Sequence, residues 1–362
     1  MKNLKPILRL FFRLIKWSIL LLLSVELFSF ITITLFNYFI GGKFRDMSSL
    51  VVYDPYTIFL KAGGPRPTTG CPEETEDSAP VIWFFGGSTM RGDTVDDSKT
   101  IPSLVAADLA SRGYPDIRAF NYGENSFGSL QETKYLQKLL IDNPNRPDLV
   151  VFYDGVNDSA HFSEFRVPGA HYGLRRLQGL VESYHKSPIG VLKPLLAAVY
   201  SSFTRELFEK VRNISVRIDG RSPELLQHAA DCRRRYDHVS TLADAYGAEF
   251  LLIWQPRMWV ENEKILPEEI RQRERDYPVS KKYSELLKHN HQTVDRAILR
   301  EVKNKPYFVD LRNLLCSRDK PAYQKDGVHL TDYGRELVAG RIARILLDRF
   351  GRRLGGERLP KS

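Results

Sequence analysis

Apolar residues are distributed along this chain in several patterns that call for different structures. Trp17–Ile40 is one unbroken block of 24 residues with a single charge, Glu26. As a helix it would be about 36 Å long, enough to cross a hydrocarbon core of about 30 Å with some tilt. Further on, Val81–Phe85 (VIWFF), Leu149–Tyr153 (LVVFY) and Phe250–Trp254 (FLLIW) are short, wholly apolar runs that read as buried strands, and Ile117–Tyr122 and Tyr307–Leu311 are strand-like. Between them, apolar residues recur at helical spacing over Thr100–Arg112, Leu130–Ile141, Pro223–Tyr246 and Asp332–Phe350. The helix boundaries carry their own signals. Gly113 and Gly247 follow two C-termini, and Ser222-Pro223 supplies an N-cap and a first-turn proline.

Strands alternating with helices, and strands apolar on both sides, predict a parallel sheet covered on both faces. The expected fold is therefore a doubly wound α/β sheet of about five strands, a flavodoxin-like three-layer sandwich, preceded by one transmembrane helix. The plan along the chain is a basic segment at 1–16, the span at 17–40, a connector at 41–79 that includes the acidic PEETED run at 72–77, a catalytic-type body at 80–350, and a basic tail at 351–362. Residues 160–222 break the rhythm with mixed aromatic, basic, Pro and Gly positions. They read as a helical insertion over one edge of the sheet, either a lid or a packing elaboration.

Charge sharpens the membrane reading. The net charge of +9 is carried by the ends: seven Lys/Arg against one acid in residues 1–45, and five against one in 349–362. The near-neutral body argues against nucleic acid as a partner. Five basic residues ahead of the span place the N-terminus in the cytoplasm by the positive-inside rule and the body outside it, in a single-pass inner-membrane topology with a periplasmic or otherwise extracytoplasmic domain. A cleaved signal peptide is the competing reading; the run is longer than a signal core and no small-residue cleavage site follows it. Glu26, near the middle of the span, either finds a local backbone or lipid-defect partner or meets another transmembrane helix. Cys71, Cys232 and Cys316 allow one disulfide, such as Cys232–Cys316, without selecting it. None has zinc-site spacing and His289–His291 is a lone pair, so neither metal nor cofactor is expected.

In open α/β sheets ligands bind beyond the carboxyl ends of the strands. Gly86-Gly87-Ser88-Thr89 follows the first strand, and its glycines let the chain turn sharply and present the Ser88 hydroxyl. Asn121-Tyr122-Gly123-Glu124-Asn125-Ser126 follows the second and Gly155-Val156-Asn157-Asp158 the third. Asp326-Gly327-Val328-His329 stands just ahead of the terminal helix, an acid three positions before a histidine. Each alone is ordinarily a turn, a cap or a surface histidine. Together they are spaced by about one βα unit, 35 residues from Ser88 to Gly123 and 34 from Gly123 to Asn157, which places the three turns side by side.

In these four blocks, GGST at 86–89, NYGENS at 121–126, GVND at 155–158 and DGVHLT at 326–331, the chain resembles the SGNH/GDSL hydrolases. The likeness covers about 80–160 and 305–345, and the anchor with the YDPY run at 53–56 looks like membrane-bound bacterial members. The first block departs from the namesake, reading GGS where the family has GDS. The resemblance implies Ser88 as nucleophile, His329 as its base, Asp326 as the acid orienting His329, and an oxyanion hole from the N–H groups of Ser88 and Gly123 and the side-chain amide of Asn157. It implies an esterase acting on acyl groups, O-acetyl first among them, of an envelope polysaccharide or lipid. An O-acyltransferase would use the same acyl-enzyme. A non-catalytic envelope assembly module is the reading from another class, which four intact blocks speak against. Acyl group, acceptor, protein partners and oligomeric state stay open.

Overall fold

The computed structural model describes residues 4–41, 51–71, 79–143, 145–186, 197–199, 201–214, 216–260, 281–316 and 318–354, with Glu268 and Gln272. The PEETED run, Lys193 of the insertion and the tail beyond residue 354 lie outside the described residues. The chain divides into two compact units, residues 1–46 with 173–215, and residues 47–172 with 216–362.

The larger unit is the α/β body. Its strands are β3 (Val81–Gly86), β4 (Arg118–Asn121), β5 (Leu149–Asp154), β6 (Glu249–Trp254) and β7 (Phe308–Asp310), all parallel, in the order β4-β3-β5-β6-β7. This is the doubly wound order of a flavodoxin-like sheet, with its switch point between β3 and β5. Strand residues alternate between two cores. Trp83, Phe85, Val150, Phe152, Phe250, Leu252 and Trp254 join one cluster with helices α4 (Ser129–Asp142), α8 (Pro223–Ala245) and α9 (Lys281–Val302). The residues between them, such as Ile82, Phe84, Val151 and Ile253, are equally buried and by alternation face the other side. There α3 (Ile101–Ser111) packs against α10 (Asp332–Leu354).

Local chemistry sets the helix starts. The Thr100 hydroxyl accepts the Ser103 N–H ahead of α3, and the Ser222 hydroxyl accepts the Leu225 N–H at 3.3 Å ahead of α8. Two features depart from the sequence reading. The connector contains an antiparallel hairpin, β1 (Val51–Asp54) with β2 (Ile58–Lys61), whose turn is made by the YDPY run. Asp54 accepts the N–H groups of Tyr56 and Thr57, both at 2.9 Å, and pairs with Lys138. The terminal helix continues to Leu354, so the first four residues of the basic tail are helical. Cys71, Cys232 and Cys316 are free thiols, and the Cys232–Cys316 pairing is not formed.

The smaller unit joins α1 (Leu4–Gly41) to α6 (Leu174–Lys186) and α7 (Phe203–Ile214), both from the insertion. Helix α1 takes in the basic segment as well as the apolar block, and Leu8–Leu35 is long and apolar enough to cross a membrane. Within this unit the Glu26 carboxylate caps α7, accepting the N–H of Phe203 at 2.5 Å, the N–H of Thr204 at 3.0 Å and the Thr204 hydroxyl at 2.8 Å. The partner of Glu26 is thus a helix N-terminus from the insertion.

Candidate active site

The turn after β3 brings Ser88 to the carboxyl edge of the sheet. Gly87 precedes the four-residue helix α2 (Ser88–Arg91), and a Cβ there would lie 2.1 Å from Asn157 Nδ2. Only glycine lets that amide come against the serine turn. The helix ends at Gly92 in the left-handed region, φ 71°. After β5, Gly155 adopts φ 120° against the Trp254 ring and starts α5 (Val156–Phe165), which carries Asn157 in its first turn. Ser88 and Asn157 therefore flank the topological switch point.

His329 reaches the same place from the loop before α10. That loop is held by the Gln324 N–H on the His329 carbonyl at 2.7 Å and by the Thr331 N–H on the Ala322 carbonyl at 3.0 Å. His329 Nε2 lies 2.9 Å from Ser88 Oγ, and His329 Nδ1 lies 2.6 Å from Asp326 Oδ2. The other Asp326 oxygen accepts the N–H groups of Val328 at 3.0 Å and His329 at 2.9 Å. Burial alone would raise the Asp326 carboxyl. The His329 hydrogen bond and charge, with the two backbone donors, outweigh it and hold the group below the usual carboxylate range. With Nδ1–H donating to a permanent carboxylate, Nε2 is left as the acceptor for the Ser88 hydroxyl.

The second block is arranged differently from the expectation. The Gly123 N–H donates to Asn121 Oδ1 at 3.0 Å, and Asn121 Nδ2 donates to the Met90 carbonyl at 3.0 Å. Gly123 packs on α2 from behind: a Cβ there would stand 2.6 Å from Arg91 N. Arg91 in turn donates to the Gly123 carbonyl at 3.2 Å and to Glu124 at 2.8 Å. Burial pushes Glu124 up to about 7 even so, with the Arg91 charge opposing it. What adjoins the serine turn is Phe127, which directly follows Ser126 at the end of the block. Phe127 O accepts from Asn157 Nδ2 at 2.5 Å and lies 3.4 Å from where a Gly87 Cβ would be. Ser126 itself sits at φ 64°, a conformation that a serine adopts only when the surroundings impose it.

A residue not singled out by the sequence completes the floor. Gln255, directly after β6, accepts the Thr89 hydroxyl at 3.0 Å. The signal was available as the first polar residue after the FLLIW strand. Beneath Asn157 lies a buried polar cluster. Asp158 accepts the Ser129 N–H at 3.0 Å and hydroxyl at 2.7 Å, with Cys232 Sγ at 3.7 Å. His228 Nε2 is 3.8 Å from Cys232 Sγ, and burial pushes His228 down to about 4. Donor atoms of Asp158, His228 and Cys232 lie within 4.8 Å of one another. The chemistry there does not suit a cation: Arg235 Nη1 already lies 3.7 Å from Cys232 Sγ and 3.9 Å from Asp158 Oδ1. His289 and His291 are likewise engaged, beside Arg217 at 2.9 Å and Arg257 at 3.1 Å.

A parallel α/β sheet with a serine, histidine and aspartate in hydrogen-bonded series at its carboxyl edge is the architecture of a serine hydrolase. Solved structures to which this chain is similar include lipolytic proteins and an esterase. One is a GDSL-like lipase from Bacteroides thetaiotaomicron, 14% identical, covering 76% of this chain and 92% of the lipase with a TM-score of 0.38. A G-D-S-L family lipolytic protein from Veillonella parvula is 14% identical over 76% of this chain and 100% of its own, with a TM-score of 0.37. An acetyl xylan esterase is 15% identical over 74% and 99%, with a TM-score of 0.39. No family model and no curated protein matches the sequence.

Proposed function

We propose that this chain is a membrane-anchored serine esterase, and the observation that carries the reading is the Ser88–His329–Asp326 series, with contacts of 2.9 and 2.6 Å. Ser88 Oγ attacks an ester carbonyl while its proton passes to His329 Nε2. The imidazolium that forms is stabilised by the Asp326 carboxylate. When the tetrahedral intermediate collapses, His329 returns the proton to the leaving alkoxide, and the acyl group stays on Ser88 until water, activated by the same histidine, releases it.

Charge on the tetrahedral oxygen is met by donors fixed in advance. The Ser88 N–H and the second N–H of the Asn157 amide are two of them. For the third, the position of Ser126 supports its N–H over that of Gly123. Ser126 directly precedes Phe127, whose carbonyl accepts the Asn157 amide, and no described group accepts the Ser126 N–H, whereas the Gly123 N–H is bound to Asn121. The substrate class follows from topology. A body held outside the cytoplasmic membrane by α1 meets acyl esters of envelope glycans and lipids, O-acetyl groups first among them.

The test is aryl-acetate hydrolysis by the full chain in detergent beside Ser88→Ala, with a fluorophosphonate probe as covalent reporter. Hydrolysis and labelling in the parent, and neither in the variant, are the expected result. Labelling that persists in Ser88→Ala would sink the assignment. Acyl transfer to an added glycan in preference to water would reassign the chain as a transferase on the same acyl-enzyme.

A further inference from the structure

We infer that α6 and α7 form a re-entrant element seated in the bilayer leaflet at the C-terminal end of α1, with Leu180, Val181, Phe208 and Val211 facing lipid. The inference rests on the reading of α1 as a membrane span.

An acid inside an apolar span is costly and must find a partner at its own depth. Glu26 finds it in the N-terminus of α7, where two backbone N–H groups, the Thr204 hydroxyl and the positive end of the helix dipole converge on its carboxylate. The contact is extended by Ser29 Oγ to Thr204 Oγ1 at 3.2 Å and by Phe30 against the Phe203 ring, centroids 5.0 Å apart. Every one of these α1 residues lies inside the apolar stretch Leu8–Leu35. From Glu26 to Leu35 is nine residues, a helical rise of about 14 Å, so the start of α7 lies about that far below the end of the apolar stretch. The 12 residues of α7 make about 18 Å of helix, enough to climb back out.

The two helices are amphipathic, with nine charged residues among their 25 and large apolar side chains between them. Val181, Phe208 and Val211 are large apolar side chains that are 59%, 66% and 60% exposed. Among the charges beside them, Glu209 meets Arg205 at 3.1 Å and Arg175 at 3.6 Å. An amphipathic helix at a leaflet places its apolar side chains among the acyl chains and its charges at the headgroup level.

The experiment uses the full chain in phosphatidylcholine vesicles brominated along the acyl chain. A bimane is placed on Phe208→Cys, on Leu22→Cys in the exposed face of α1, and on Ile141→Cys on the catalytic body, with the signal of the labelled parent subtracted. Loss of fluorescence at positions 208 and 22, and none at 141, is the expected result. Loss at 22 but not at 208 overturns the inference and leaves the anchor standing. No loss at 22 overturns the anchor and the inference with it. In a Glu26→Leu background, quenching at 208 should fall while that at 22 is kept; unchanged quenching at 208 would overturn the holding role of Glu26.

Discussion

His329 Nδ1 and Asp326 Oδ2 are 2.6 Å apart within one loop, and the other oxygen of Asp326 is held by two N–H groups of the same loop. Acid and base are therefore positioned as a unit, ahead of any substrate. Asp326→Asn keeps an oxygen for the two backbone donors but turns an NH2 towards Nδ1, which favours the tautomer that cannot accept the Ser88 proton. We expect kcat on an aryl acetate to fall by about 10²–10⁴ with KM little changed, and Ser88→Ala or His329→Ala to fall to background. An Asp326→Asn enzyme as active as the parent would show that the acid has no such role.

The oxyanion donors give a second contrast. Asn157→Ala should cost about 10²–10³ in kcat, since one amide donor goes while the backbone donors stay. Ser126→Gly keeps the N–H at that position and relieves the left-handed strain of φ 64°. It should retain kcat and raise stability by about 1 kcal/mol, read from thermal unfolding midpoints. Loss of activity in Ser126→Gly with intact folding would point to the serine side chain rather than its backbone.

Much of this was visible in the sequence because it is written in apolar runs. VIWFF, LVVFY and FLLIW have no polar face to expose, so they had to be central strands, and the residues after them had to lie at one edge. The hairpin at 51–61 was not visible, because its apolar runs, VVY and IFL, are only three residues long and its turn is made by bonds to the Asp54 side chain. Gly123 was expected to offer its N–H to the oxyanion hole; it donates to Asn121 instead, which depends on where the Asn121 side chain bonds. Residues 160–222 read as an insertion over one edge of the sheet, and the sequence does not say that 173–215 group with α1, because helical amphipathicity does not say what an apolar face meets. Their grouping with α1 came from three hydrogen bonds to Glu26, separated from them by more than 170 residues.

Gly155 gives a stability prediction independent of chemistry. Its φ of 120° is closed to L side chains, and a Cβ would stand 2.7 Å from Trp254 Cε2, a ring with no room to move in the core. Gly155→Ala should destabilise by about 2–4 kcal/mol from backbone strain and overpacking together. Since α5 starts there, the Asn157 amide should shift as well, and kcat should drop more than the loss of folded protein explains. A variant with parental melting behaviour would contradict the placement.

The last prediction concerns a proton held beneath the site. Glu132 is wholly buried, and burial first, then the neighbouring charge of Asp154, raises its carboxyl well above the ordinary range. It hydrogen-bonds to Asp154, itself pushed up to about 7 by burial and by Asp158, and Tyr236 donates to Asp154 at 3.0 Å. In the unfolded chain both acids ionise near the ordinary values of 4.5 and 3.8. Above those values the folded protein keeps protons that the unfolded chain has released. Stability from this pair is full at acid pH and declines by about 1.4 kcal/mol per pH unit for each proton held, until the folded groups titrate. His228, held down to about 4, works in the opposite sense below pH 6.5, so the whole-protein profile mixes the two. The difference between parent and Glu132→Gln isolates the pair, since a glutamine NH2 donates to Asp154 at every pH. Thermal midpoints of the two should be close at pH 5, with the variant clearly the more stable at pH 8. A gap that does not widen between those values would mean that Glu132 is ionised in the folded protein.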